Sequence, residues 1–269
     1  MNEARAVNPS SPFRARYRSV VEFAALYSSL ALLGLICLGW SLLTLPLYPL
    51  LPRGAGRAFG RRGIMGGFRL YTHWLQFIGA YRLDLTAIDT LRNGPPLILA
   101  PNHPALIDAL LVLTRHPNLA CVMKSDLMAN ILLGPGARLA RYIRNGSPRQ
   151  MVREAVRDLR TGGSLLLFPE GTRTTRVPLN AISRSVGVIA KHAGVPVQTL
   201  LIDTDSPFLS KGWPLWCRPA LPISYRVRLG RRFDPPGDVD AFMLELERYY
   251  RSELQGGAAS QWIGRSACR

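Results

Sequence analysis

The chain has 269 residues and a mass of 29.8 kDa, with 34 Lys and Arg against 17 Asp and Glu and a formal net charge of +17. That length can bury one sizeable α/β core, or a core with a small appendage, and excludes several full domains. At 48% hydrophobic residues, 19% charged residues and a mean hydropathy of +0.08, the chain is too apolar for a disordered tail protein. It is also not continuously apolar enough for a polytopic transporter, so one membrane-facing segment on a soluble body fits better. Lys124, Lys191 and Lys211 are the only lysines, so nearly all the positive charge is arginine. Such a balance predicts an anionic partner: nucleic acid, an anionic lipid surface, a phosphorylated substrate or an acidic carrier protein. Cys37, Cys121, Cys217 and Cys268 form no C-x-x-C pair, which points to neither a zinc site nor a disulfide framework and favours a reducing compartment.

The first element in chain order is apolar. Phe23 to Leu51 are 29 residues without a charge, and about 20 such residues cross a bilayer core as helix. The run is too long for a signal peptide and ends in Leu45-Pro46-Leu47-Tyr48-Pro49-Leu50-Leu51-Pro52 instead of a small-residue cleavage site. Arg5, Arg14, Arg16 and Arg18 precede it, and Arg53, Arg57, Arg61, Arg62, Arg69 and Arg82 follow it. The positive-inside rule draws both flanks to the cytoplasmic face. A single span and a re-entrant helical hairpin both satisfy this pattern. Breaks at Pro46, Pro49 and Pro52 favour the hairpin, and a buried core hairpin is the plainer alternative. Phe68 to Ile78 reads as an amphipathic interfacial helix.

Beyond Leu83, short apolar runs alternate with helical ones, as in βα units. Strands are predicted at 96–101, 119–123, 140–143, 164–168, 195–202 and 222–229, with a helix at about 105–114. Ser147 at the N-cap, Pro148 at the first position and Gln150 completing a capping box open a helix whose apolar face is Met151, Val152, Ala155, Val156 and Leu159. Gly162 and Gly163 end it. A terminal helix spans 238–254, and the small polar residues after Gly256 fray. The fold class is therefore α/β: a mostly parallel sheet flanked by helices, with an N-terminal apolar helical anchoring segment. The domains are 1–82, membrane-associated; 83–255, the α/β body; and 256–269, a flexible tail.

Of the four histidines, His116 has a turn-like context that reads as a solvated loop, and His73 and His192 fall on predicted helices as surface or packing residues. His103 differs, because it emerges where a strand ends and a helix begins, with Asp108 five residues on. Five residues of helix rotate about 140°, so the two meet only if His103 lies outside the helix and Asp108 points back. Asp108 would then hold one ring nitrogen and leave the other as a general base. Spacing alone leaves a purely structural His/Asp pair equally open. At the end of a second apolar strand, Phe168-Pro169-Glu170-Gly171-Thr172-Arg173 combines an acid, a glycine, a hydroxyl and an arginine in a compact anion-binding turn. A tight turn with a surface ion pair is its plain alternative.

These residues resemble the lysophospholipid acyltransferases, the family typified by 1-acyl-glycerol-3-phosphate acyltransferase. The likeness rests on Asn102-His103 with Asp108, the family's His-x4-Asp block, and on Phe168 to Arg173, its Pro-Glu-Gly-Thr-Arg block, roughly 65 to 70 residues later. Gly194-Val195-Pro196-Val197 is a shortened form of a third block, and the likeness covers about 70–230. The resemblance implies that His103 deprotonates a lysophospholipid hydroxyl as it attacks an acyl thioester, with Asp108 orienting the ring and no acyl-enzyme formed. It implies acceptor binding by Glu170, Gly171, Thr172 and Arg173, with Arg173 on the phosphate, and further phosphate contacts from Lys124 and Arg144. The co-substrate is acyl-CoA or acyl-ACP, with no metal and no other cofactor, and lysophosphatidic acid is the expected acceptor. Partners are membrane phospholipids and the acyl carrier, with no nucleic acid. The expected location is a bacterial-type inner membrane, with the catalytic domain on the cytoplasmic side.

Two stretches depart from the family pattern: 174–188 lacks the usual lysine-glycine pairing, and Lys211-Gly212-Trp213-Pro214-Leu215-Trp216 reads as a subfamily insertion. The remaining alternatives are an acyltransferase of a specialised lipid or polyene pathway and a non-catalytic lipid-binding scaffold. No G-x-S-x-G elbow occurs, which disfavours an ester hydrolase. Gly54, Gly56 and Gly60 have the wrong spacing for a dinucleotide loop, and no nucleic-acid-binding motif accompanies the arginines.

Overall fold

A computed structural model describes residues 12–214 and 216–255. The apolar run forms most of one 39-residue helix, α1 (Pro12–Leu50), within which Val20–Leu50 is long and apolar enough to cross a membrane. Pro46 and Pro49 lie inside α1, so of the three prolines expected to break the helix only Pro52 stands at the break. Near a helix end the missing N–H and the ring's crowding disturb few bonds. The chain reverses at Leu51-Pro52, where Pro52 (φ −53°, ψ 146°) precedes α2 (Arg53–Phe77).

Helix α2 is far longer than the interfacial helix read at Phe68 to Ile78, and it docks on the body. Gly60 permits the docking, since a Cβ there would lie 2.5 Å from the backbone nitrogen of Ala140. A Cβ on Gly136 would lie 2.6 Å from the ring of Trp40, a residue of α1. Arg61, read as part of a solvated basic flank, is instead buried. It donates to Asp158 Oδ1 at 2.7 Å, to Asn118 Oδ1 at 2.8 Å and to the Ala140 carbonyl at 3.1 Å.

The body is a seven-stranded sheet in the order β1-β7-β6-β2-β5-β3-β4. Its strands are β1 (Tyr81–Asp84), β2 (Ile98–Pro101), β3 (Leu119–Lys124), β4 (Ile143–Asn145), β5 (Ser164–Leu166), β6 (Val197–Thr204) and β7 (Ile223–Phe233). Every neighbouring pair is parallel except β6 with β7. The remaining helices are α3 (Asp108–Leu113), α4 (Ser125–Ala129), α5 (Gly134–Leu139), α6 (Pro148–Arg160), α7 (Ser185–Ala193) and α8 (Val239–Leu254). Alternation along the strands sorts the core into two layers. Leu97, Leu99, Cys121 and Leu166 face α1, α2 and α3, whereas Ile98, Ala100, Ala120 and Leu165 face α6, α7 and α8.

Local expectations fared unevenly. Pro148 does open α6, but Ser147 makes no capping bond, and Gln150 donates instead to Glu154 at 2.8 Å. Cys37 and Cys121 are free thiols, whereas Cys217 is disulfide-bonded, against the expectation of no disulfide.

Candidate active site

Parallel strands present the ends of their loops along one edge, which is where α/β sheets gather ligands. The turn after β2 carries His103, and Asp108 is the first residue of α3. Since His103 lies outside the helix, Asp108 can point back: its Oδ2 accepts from His103 Nδ1 at 2.8 Å and from the Ala105 amide at 2.8 Å. Asp108 is fully buried and its Oδ1 has no hydrogen-bond partner among the described residues. Burial pushes its carboxyl up from the ordinary 3.8, while the two hydrogen bonds pull against that shift. With Nδ1 committed, Nε2 is the nitrogen without a hydrogen bond among the described residues. The imidazole stacks on Phe168, with ring centroids 3.9 Å apart.

The turn after β5 is joined to the His103 loop by main-chain contacts. Glu170 Oε1 accepts from the His103 amide at 3.1 Å and from the Thr174 hydroxyl at 2.8 Å, and Oε2 accepts from the Asn180 amide at 2.9 Å. The Thr174 amide closes the loop by donating to the His103 carbonyl at 2.7 Å. Glu170 is buried, which raises its carboxyl against those three donors. The carboxylate thus holds the His103 backbone in place. Gly171 sits at φ +65°, in the left-handed region that a residue with a Cβ adopts only at a cost. Thr172 follows it, half-buried.

Arg173 is half-buried, and its Nη1 donates to the carbonyls of Leu209 and Ser210, both at 2.9 Å. It therefore anchors the start of the 211–216 insertion to the site while keeping Nε and Nη2 without hydrogen bonds among the described residues. The Leu106 amide, three residues after His103, binds the same Leu209 carbonyl at 3.0 Å.

Lys124 ends β3 and Arg144 lies on β4, both exposed and both at this edge of the sheet. Arg144 pairs with Met123, whose side chain shares the layer of Phe168, so alternation places Arg144 on the imidazole's side. Lys124, one residue on, falls to the opposite side. At about 4.8 Å per strand, β3 lies roughly 10 Å and β4 roughly 14 Å from β2. Neither side chain forms a hydrogen bond or ion pair among the described residues.

His116, expected in solvent, is buried. It accepts from the Asn118 amide at 3.3 Å, and burial together with Arg92 and Arg61 lowers its pKa to about 4. His73 and His192 are exposed on helices, as expected, each bonded to a carbonyl one turn back. Spacing did not reveal Asn180, whose Oδ1 also accepts from the Thr175 and Arg176 amides at 3.0 Å. A single asparagine in an aperiodic loop leaves no such signal. Among the described residues, no three His, Cys, Asp or Glu side chains gather to hold a metal ion.

The model of the acyltransferase family matches residues 82–203, a stretch that contains both turns of this site. A 1-acyl-sn-glycerol-3-phosphate acyltransferase of Pseudomonas aeruginosa is 22% identical over 216 residues, covering 78% of this chain and 80% of that protein. The crystal structure of the 1-acyl-sn-glycerophosphate (LPA) acyltransferase PlsC from Thermotoga maritima superposes with a TM-score of 0.66 at 18% identity. It covers 90% of this chain and 96% of its own, a likeness of fold. The matched stretch starts within β1 and ends within β6, so the antiparallel β7 and the helical pair α1–α2 lie outside it.

Proposed function

We propose that this protein is an acyltransferase that moves a fatty acyl group from an acyl-ACP or acyl-CoA thioester to the free hydroxyl of 1-acyl-glycerol-3-phosphate, giving phosphatidic acid. The observation that carries this reading is the 2.8 Å hydrogen bond from His103 Nδ1 to buried Asp108, at the sheet edge where Arg173 stands. Nε2 takes the proton of the acceptor hydroxyl as its oxygen attacks the thioester carbonyl. The tetrahedral centre then collapses, the carbon–sulfur bond breaks, and the imidazolium returns the proton to the leaving thiolate. Asp108 stabilises the imidazolium formed midway. Nothing in the sequence needs a covalent acyl-enzyme. Arg173 offers Nε and Nη2 to the acceptor phosphate, with Arg144 farther along the edge on the same side of the sheet, while Glu170, Gly171 and Thr172 shape the turn. The apolar stripe of α1 holds the body at a membrane, with arginine flanks that favour the cytoplasmic side.

The test is an assay of membranes containing the protein with lysophosphatidic acid and both thioester donors. His103→Ala should lower turnover on the order of 10²-fold or more, with membrane association intact. Near wild-type turnover in that variant would overturn the base assignment.

A further inference from the structure

Away from His103, the other side of the sheet carries a second concave surface. A groove of about 760 Å³ runs between α6 and α7, with a floor of Val152, Val156 and Val188. Arg149, Arg153, Arg157 and Arg160 line it at steps of four, four and three residues, along one face of α6. From Arg149 to Arg160 the row covers about 16 Å of helix axis. No carboxylate lines the groove. Asp158, the nearest acid in sequence, is already held by Arg57 and Arg61, and Glu154 by Gln150. Arg149, Arg153 and Arg157 make no hydrogen bond or ion pair among the described residues. Such a set of unneutralised cations repels itself and costs stability, yet nothing in the fold relieves it.

We propose that this groove docks an acidic, helical protein surface, that of a soluble acyl carrier delivering the thioester. The inference rests on the acyl-transfer reading above. An apolar floor rimmed by like charges is complementary to one amphipathic helix with acidic flanks: the floor buries its apolar stripe, and the rim steers the encounter and fixes register. The groove is shallow and open along about three helical turns, long enough for one helix to lie along it. It also faces away from the apolar stripe of α1, because α6 and α7 cover the layer opposite to α1 and α2. The row begins at Pro148, just past the end of β4, on the edge of the sheet that carries His103. A carrier seated there has its attachment point beside Lys124 and Arg144, within reach of the imidazole through a flexible thioester arm.

The experiment uses the full chain in nanodiscs with palmitoyl-ACP and palmitoyl-CoA as alternative donors, comparing wild type with the triple variant Arg149→Glu/Arg153→Glu/Arg157→Glu. All three side chains are exposed, and a thermal melt checks that the variant folds. The KM for palmitoyl-ACP should rise at least ten-fold, with kcat for that donor and KM for palmitoyl-CoA within two-fold of wild type. Wild-type KM for palmitoyl-ACP should also climb with salt. An unchanged KM for palmitoyl-ACP overturns the proposal, as do equal losses with both donors. Loss of binding to phosphatidylglycerol vesicles with carrier kinetics intact overturns it too, giving the groove to the bilayer. Should wild type transfer from neither donor, the acyl-transfer reading fails. Direct binding of palmitoyl-ACP to wild type but not to the variant would then still uphold the surface, and its absence would overturn it.

Discussion

Asp108 is buried with one oxygen, Oδ1, unpaired, and burial raises its carboxyl above 3.8. A carboxyl with a higher pKa folded than unfolded adds stability below the unfolded value and loses it as pH rises through the folded one. At neutral pH, then, the ionised side chain weighs against the fold. In Asp108→Asn the amide oxygen can keep both hydrogen bonds while the NH2 takes the unpaired position. The variant should melt at or above the wild-type temperature at pH 7, with the difference closing as pH falls toward 4. Turnover should drop on the order of 10²-fold, because no charge then balances the imidazolium. Calorimetry across pH beside an activity assay checks both halves. Arg173→Ala should mainly raise the KM for the acceptor, and unchanged KM and turnover would remove Arg173 from the site. The His103–Asp108 pair was legible because both residues flank the end of one strand. The partners of Glu170 were not, because Thr174 and Asn180 reach it across an aperiodic loop that no pattern of residues marks.

Helix α6 was readable because its apolar residues repeat at helical spacing, and β2, β5 and β6 because fully buried strands are continuous apolar runs. The first half of α2 was not. Its glycines at 54, 56, 60, 63, 66 and 67 and its arginines are poor helix signals taken alone. Tertiary packing turns both into assets: glycine allows close approach to α5, and Arg61 finds a buried carboxylate. Strand β1 was missed for a similar reason, being a four-residue edge strand beside basic residues. Removing one partner of a buried ion pair typically costs about 3–5 kcal/mol, so Arg61→Ala should destabilise the protein by several kcal/mol. Gly60→Val should act in the same direction by pushing α2 off Ala140. Both are checked by thermal melts of detergent-solubilised protein, and an unchanged melt of either would show that α2 is not seated as described.

One buried histidine opposes folding in acid. His116 is buried with a pKa near 4 against 6.5 unfolded. A base with a depressed folded pKa contributes stability above its unfolded value and loses it as pH falls toward the folded one. Stability should therefore decline between pH 6.5 and 4 by about 3 kcal/mol from this residue. His116→Gln should flatten that decline in a pH series of melts. The sheet and its two layers of helices were visible in the sequence as alternating βα units, but the antiparallel β7 and the docking of α2 depend on contacts between distant segments.

Helix α1 is gripped at the start of its apolar stretch and again two-thirds of the way along it: Glu22 pairs with Arg218 at 3.9 Å, and Ser41 donates to the Leu132 carbonyl at 2.7 Å. Those grips are about 29 Å apart along the axis, nearly the depth of a bilayer's hydrocarbon slab. An upright α1 would drag polar loops into oil after it. We expect its outer stripe of Leu35, Leu38, Leu42 and Leu45 to meet lipid lengthwise, as a keel, which would hold the mouth of the sheet at one fixed height.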